Sequence, residues 1–301
     1  MKTNNMNLSV IIVTYNTLTH QSDLFRSCLR SISDGADGIS FEIIVADNGS
    51  TDDTVAMLKR EFSNVKIIEN GANLGFGRAN NIGAKEASGD YLLFLNPDNI
   101  VQSGSLKYLV DWMQTHMDVG IVGPKMIDQN GSLNKDATPR RFPGSLDQVA
   151  ILLKLSHMFP KLLSSYMYED RDFNQSGEVD SVRGAFIFMR RELYTKMGFA
   201  FDPRYFLWFE DVDTCRECWR HGYKVMYLTD VACIDHVSQT FKKIGNVWKQ
   251  KKFTESMVAY FRKWHSVPAW LLIFLLRPIA VGMVIFHESI MNIFHREKTK
   301  I

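Results

Sequence analysis

Gly89-Asp90-Tyr91-Leu92-Leu93-Phe94-Leu95-Asn96-Pro97-Asp98-Asn99 is the stretch on which the reading of the chain turns. Five apolar residues, Tyr91 to Leu95, run without a polar break and stop at Asn96. That pattern predicts a strand buried on both faces that emerges at the edge of a parallel sheet. Pro97 has no N–H for a ladder, so the strand ends there. Ligands of open α/β sheets bind beyond the carboxyl ends of strands, so Asn96 and Asp98 are candidate contacts, and the hard oxygens of Asp98 suit Mg or Mn. A phosphate held through a divalent cation is one reading; an Asx-type turn in which Asp98 caps a helix starting near Ser103 is the other.

Upstream, the same signal repeats. Leu8 to Thr14 is a β-branched run followed by the helical spacing of Leu24, Cys28, Leu29 and Ile32. Phe41 to Ala46 is a second strand; it runs into Asp47-Asn48-Gly49-Ser50-Thr51-Asp52-Asp53, with Ser50 or Thr51 as helix cap. Val65 to Glu69 is a short third strand, and the loop from Asn70 to Gly77 opens a helix carrying Arg78, Asn80 and Asn81. Alternation of this kind with short loops predicts a parallel sheet covered by helices on both faces. Three polar clusters then fall on one sheet edge: Thr14-Tyr15-Asn16, Asp47-Asn48 and Asp98. Asp47 is suited to accept the ring N–H of a pyrimidine, and Arg78 at a helix start to meet a diphosphate. The plainer readings are a helix cap and a solvated charge. Gly75-x-Gly77 does not make a dinucleotide fingerprint: Asn80 stands where the third glycine belongs, and the first strand-to-helix turn has no glycine.

Downstream, Asp118 to Pro124 predicts another strand, Lys125 to Gly144 turns and a hairpin tipped by Asp128-Gln129-Asn130-Gly131, and Leu146 to Phe159 a helix. Val179 to Arg190 reads as a strand whose Gly184-Ala185 pair leaves room either for a ligand such as the donor sugar or for a bulge. Phe201 to Asp213 is an aromatic block ending in carboxylates. Trp208 and Phe209 beside Glu210 and Asp211 form an apolar wall that excludes water and favours proton acceptance by Asp211. Acidic residues in a first helical turn are also favoured by the macrodipole alone. Cys215-x-x-Cys218 with Cys233-x-x-His236 has the spacing of a zinc site, but the first pair falls in a helical pattern and Cys233 in an apolar strand.

The 301 residues are 46% hydrophobic and 23% charged with a net charge of +2, enough for a large core and too mild a balance to argue for nucleic acid. The four cysteines suit reduced thiols, and the polar start predicts a cytoplasmic protein without a signal peptide. The charge asymmetry lies late. Lys242, Lys243, Lys249, Lys251, Lys252, Arg262 and Lys263 alternate with Phe241, Trp248, Phe253, Tyr260, Phe261 and Trp264, before an apolar run from Ala269 to Phe286 interrupted by Arg277 and Pro278. This run predicts two short helices lying in the headgroup plane of a membrane, with a spanning helix or a homodimer helix as alternatives.

Taken in order, Thr14-Tyr15-Asn16, ADNGSTD (46–52), NLGFGRANN (73–81), FLNPDN (94–99), VRGAFIFMRRE (182–192), FDPRYFLWFEDVD (201–213) and His236 resemble the inverting family 2 glycosyltransferases of the GT-A fold, and within them bacterial rhamnosyltransferases of surface polysaccharide synthesis. The resemblance covers about residues 8–240. It implies a Rossmann-like, mostly parallel central sheet flanked by helices, as a 1–240 glycosyltransferase domain with a 241–301 amphipathic, membrane-associating extension. It implies Asp211 as general base, Asp98 and His236 as ligands of a divalent cation, and donor contacts from Thr14, Tyr15, Asn16, Asp47, Asn48, Arg78, Asn81, Asn96, Asp98, Gly184 and Ala185. Trp208, Phe209 and Glu210 fall on the acceptor side. The implied donor is dTDP-L-rhamnose, with UDP-linked galactofuranose, hexose or N-acetylhexosamine as alternatives, and the implied acceptor is a lipid-linked saccharide at the inner face of the cell membrane. One departure stands out: Asn96 replaces a carboxylate of the family's metal-binding triplet. A reading from another class is a zinc-stabilised, membrane-associated binding protein.

Overall fold

A computed structural model describes residues 6–236 and 245–298, so Phe241, Lys242 and Lys243 lie outside the described residues. β1 (Leu8–Thr14), α1 (Thr17–Ala36), β2 (Phe41–Asp47), α2 (Thr54–Glu61), β3 (Lys66–Glu69), α3 (Phe76–Lys85) and β4 (Tyr91–Leu95) alternate as expected. There follow β5 (Asn99–Val101), α4 (Ser105–Thr115), β6 (Val119–Ile127), α5 (Ser145–Leu152), β7 (Gly177–Glu178), β8 (Phe186–Arg190), α6 (Arg191–Met197), α7 (Glu210–Arg220), β9 (Lys224–Asp235), α8 (Asn246–Trp264) and α9 (Val267–Lys298). One sheet runs in the order β3-β2-β1-β4-β8-β6-β9-β5, with β7 added on β9. β3, β2, β1 and β4 are mutually parallel, whereas β8 is antiparallel to both β4 and β6. The apolar run of β4 is buried throughout because helices cover both faces of a strand in mid-sheet. β1 sits between β2 and β4, so the order reverses there, and a crevice opens at the carboxyl ends of β1 and β4.

Several local expectations shift. The second helix starts at Thr54, after Asp53, because Ser50 and Thr51 are engaged with Asp47 and Asn16. The helix expected from Leu146 to Phe159 ends at Leu152, where the chain turns through Lys154 at φ 55°. The strand expected over Val179–Arg190 begins only at Phe186; Gly184 and Ala185 belong to the turn before it. The hairpin at Asp128–Gly131 forms, closed by Asp128 N donating to Ser132 O at 2.8 Å.

The C-terminal region departs most. α9 is one helix through Pro278, not two short ones, and its Val267–Met291 portion is long and apolar enough to cross a membrane, with a mean hydropathy of 2.3. α8 is not a loose appendage. Phe253, Met257, Tyr260 and Phe261 share an apolar core with Tyr205, Phe209 and Val212, and Ile273 and Ala280 of α9 close it. Beside that core, Lys263 Nζ lies 3.0 Å from Asp202, 2.7 Å from Asp213 and 2.7 Å from Glu217. Asp213 also accepts from Trp264 Nε1 at 2.6 Å and Tyr205 OH at 3.1 Å. Buried charges of both signs need such pairing, so this network fixes α8 against α7 and the 201–205 segment.

Candidate active site

The crevice at the β1/β4 edge has a volume of about 570 Å³. Thr14, Tyr15, Asn48, Asn96, Pro97 and Asp98 line it, as the sequence predicts. Gln21, Asn73, Phe76, Phe206, Leu207 and Trp248 also line it and were not anticipated. Trp248, from α8, meets Phe206 edge to face at 6.1 Å, so the C-terminal extension supplies part of the wall. Only tertiary contact brings it there. Gly75 makes this junction possible: at φ 85° a side chain is strained, and a Cβ would fall within the van der Waals shell of Phe206 O. The glycines at 75 and 77 thus serve close packing against Phe206 and Phe201.

Several residues expected on the donor side act as braces. Asp47 is 2% exposed and does not line the crevice; its Oδ1 accepts from Thr14 Oγ1 at 2.8 Å and Ser50 Oγ at 2.5 Å, and its Oδ2 from Ser50 N at 2.8 Å. Asn16, at φ 49°, uses its side-chain oxygen on Thr51 N at 2.7 Å. Arg78 Nε donates to Pro203 O at 2.9 Å, and the Asn81 amide brackets the backbone of Ala200 and Phe201. Neither lines the crevice. Asn48, which does, donates to Gly75 O at 3.2 Å and accepts from Asn70 Nδ2 at 3.0 Å, holding the 70–75 loop.

Asp98 is 5% exposed on the crevice wall. Burial, and then the neighbouring Asp235, push its carboxyl up to about 6. β5 pairs antiparallel with β9, matching Asn99 with Asp235, which brings Asp235 and His236 to the end where Asp98 emerges. The sequence reading missed Asp235, because an acidic residue inside a strand pattern carries no ligand signature of its own. His236 Nδ1 lies 2.5 Å from Gln129 Nε2. Among the described residues no three His, Cys, Asp or Glu side chains form a metal cage. Two carboxylates that repel one another in a buried place nonetheless fit a hard cation whose remaining ligands are substrate oxygens and water. The zinc reading fails on the thiols: all four cysteines are buried, and Cys215, Cys218 and Cys233 donate to the backbone carbonyls of Val182, Tyr223 and Ile100.

Asp211 opens α7 behind two consecutive aromatic residues at positive φ, Trp208 at 64° and Phe209 at 67°. Left-handed backbone at bulky residues is costly and persists only where packing enforces it, here through Phe253 and Tyr260. Asp211 Oδ2 accepts from Gly184 N at 3.0 Å, and a Cβ on Gly184 would meet the Asp211 side chain. The space kept by Gly184 therefore serves Asp211 directly. Ala185 O in turn accepts from Asn96 N at 3.0 Å and Asn99 Nδ2 at 2.8 Å. Two residues thus tie the carboxylate to the Asn96–Asp98 loop. Glu210, 7% exposed, has an Oε2 without a hydrogen-bond partner among the described residues, and burial and the adjacent Asp211 raise its pKa well above the usual carboxylate range.

The comparisons with known proteins agree with this geometry. Residues 9–198 match the model of glycosyl transferase family 2. The chain is 29% identical over 241 residues to an N-acetylglucosaminyl-diphospho-decaprenol L-rhamnosyltransferase of Mycobacterium tuberculosis, covering 76% of each chain. It is 26% identical over 229 residues to the rhamnosyltransferase WbbL of Escherichia coli, covering 73% of this chain and 79% of that one. Among solved structures, a mannosyltransferase of Pyrobaculum calidifontis in complex with GDP-Man and Mn2+ superposes with a TM-score of 0.57 at 18% identity, covering 92% of this chain and 72% of that one. With its GT-A-like sheet and strand-end crevice, the chain belongs to glycosyltransferase family 2.

Proposed function

We propose that the protein transfers L-rhamnose from dTDP-L-rhamnose to a hydroxyl of a lipid-linked saccharide, with inversion, in the synthesis of a cell-surface polysaccharide. The observation that carries the reading is the Gly184–Ala185 link, which joins the Asp211 carboxylate to the donor-side loop through two backbone hydrogen bonds. The rhamnosyl donor is inferred from the two relatives at 29% and 26% identity, and the lipid-linked acceptor from the first of them.

In this mechanism the nucleotide lies along the crevice between Tyr15, Asn48 and Asn96, and Asp98 with the neighbouring Asp235 would hold Mg or Mn. That cation, when bound, neutralises the leaving diphosphate. Asp211 takes the proton of the acceptor hydroxyl while the hydroxyl oxygen bonds to the anomeric carbon from the face opposite the nucleotide. The bond to the diphosphate breaks as the new one forms, so the configuration inverts. Asp211 is held for this by Gly184 N and by Val212 N, which donates to Oδ1 at 2.8 Å. Trp208 and Phe209 exclude water on the acceptor side.

A peripheral membrane position at the cytoplasmic face supports delivery of the lipid acceptor. α9 lies antiparallel along α8, with Arg277 reaching Glu255 at 2.8 Å and Asn246 N reaching Glu288 at 3.2 Å. A helix tied to α8 at its middle and near its far end is suited to lie on a bilayer. Its outer face carries exposed Leu272, Leu275, Ile279 and Phe286, and exposed Leu146 and Phe159 extend the apolar surface beyond it.

The test is release of nucleoside diphosphate from dTDP-L-rhamnose with Mg or Mn and a synthetic lipid-linked saccharide. Asp211→Asn should lower kcat by about 10²–10⁴-fold with donor affinity kept. A variant that turns over like wild type removes Asp211 as base. Reaction with UDP-sugars and not with dTDP-L-rhamnose would replace the donor and keep the mechanism.

A further inference from the structure

A second cavity, of about 90 Å³, lies at Asp211, apart from the donor crevice, and is lined by Arg140, Tyr166, Arg183, Trp208, Glu210 and Phe253 among others. Its charge is unusual. Arg140 is 7% exposed, and its guanidinium donates to the carbonyls of Lys135, Thr138 and Pro139 and to the Thr138 hydroxyl. No carboxylate stands within ion-pair distance of it among the described residues. A bridge between Arg140 and Ser181 brings Arg183 alongside, and burial together with Arg183 pushes Arg140 down to about 10. The carboxylate that pairs with Arg183 is Asp211, at a long 4.0 Å. Glu210, whose Oε2 has no partner among the described residues, is held toward its neutral form and so can donate to a ligand oxygen. Two cations, a neutral acid and one shared carboxylate make a pocket short of negative charge.

We propose that this cavity binds the diphosphate of the lipid-linked acceptor, with Arg183 and Arg140 as its cationic clamp. The inference rests on the glycosyl-transfer reading above and specifies its acceptor. Three observations carry it. The cavity is lined by Asp211 itself, so an anion held there lies beside the group that takes the acceptor's proton. Asp98 lines the donor crevice and not this cavity, so the two sites are separate. Phe209 and Val212 of the cavity wall belong to the same apolar core as Ile273 and Ala280 of α9, which leads the lipid from the anion toward the exposed apolar face. Trp208 and Phe253, 6.0 Å apart and edge to face, offer the sugar an apolar wall.

The experiment is calorimetric titration of the full chain, with the donor crevice saturated by dTDP and Mg, using octyl diphosphate, octyl phosphate and octyl glucoside as probes. Wild type should bind one octyl diphosphate about tenfold or more tightly than octyl glucoside, with octyl phosphate between them. Arg183→Gln should lose that preference by about tenfold with dTDP affinity unchanged, and Arg183→Lys should restore part of it. Arg140→Gln provides no clean arm, because its guanidinium also braces three carbonyls. Equal affinity for octyl diphosphate and octyl glucoside overturns the proposal, as does an Arg183→Gln protein that binds like wild type. Displacement of octyl diphosphate by dTDP overturns it too, since the anion then uses only the donor crevice. Binding as expected in a protein that transfers no sugar from any nucleotide donor upholds the anion site and removes the transferase reading.

Discussion

The donor crevice and the Asp211 cavity lie on either side of two residues, Gly184 and Ala185, yet they are built on different principles. The crevice is made where consecutive βα units end, and its braces run between neighbouring units: Thr14 to Asp47, Asn16 to Thr51, Asn48 to Asn70. The Asp211 cavity draws side chains from stretches around residues 140, 166, 182, 210 and 253. The two regions also spend carboxylates differently. Asp47 and Asp213 have their oxygens filled by protein donors and act as structure. Asp98 and Glu210 are buried without such compensation, and Asp211 faces a cavity. The comparison teaches that a carboxylate's place at a strand or helix end says little about its task; the count of donors already satisfying it says more.

The sharpest way to break the comparison is Lys263→Met. It leaves Asp202, Asp213 and Glu217 facing one another without their shared cation, and should cost about 3–5 kcal/mol in denaturant unfolding. Because the network joins α8 to α7, transfer should suffer more than dTDP affinity at temperatures where the variant is folded. Equal loss of both would mean that the crevice and the cavity form a single cooperative unit. Next in size is Gly75→Ala, at the point where the two regions touch. A methyl group there strains the backbone at φ 85° and presses on Phe206, for about 1–2 kcal/mol of stability. Donor affinity and transfer should fall together, and a drop in transfer alone would move the junction elsewhere.

The smallest effect sharpens the cavity side only. Glu210 has a pKa raised above its unfolded value, so the folded state holds its proton more tightly. Its stabilising contribution is full below the unfolded carboxyl pKa and is lost as pH rises through the folded one. The groups facing it are Asp211, which raises the pKa, and Arg183, which lowers it. Wild type should therefore lose about 1 kcal/mol or more between pH 6 and pH 9, and Glu210→Gln should flatten that slope in thermal unfolding. Parallel slopes in the two proteins would show that Glu210 does not titrate in this range.

What the sequence determined by itself is the set of elements and the edge at which they act. Buried parallel strands leave continuous apolar runs, and chain breaks such as Asn96-Pro97-Asp98 mark where they stop, so β1, β2, β4 and the crevice between them were legible locally. The order of motifs was enough to indicate the family. Three matters were decided only by tertiary structure. Asp47, Asn16, Arg78 and Asn81 have residue types fit for ligands, and only their neighbours reveal them as braces. Asp235 comes beside Asp98 through antiparallel pairing with β5, and Trp248 reaches the crevice through the packing of α8, links that no spacing rule encodes. α9 remains one helix through Pro278, where local propensity predicts a break, because packing along α8 and the Arg277–Glu255 contact outweigh the single missing hydrogen bond. Patterns within a strand or helix are set by short-range sterics and burial, whereas a site assembled from distant stretches depends on which surfaces meet, and that is known only once the chain has folded.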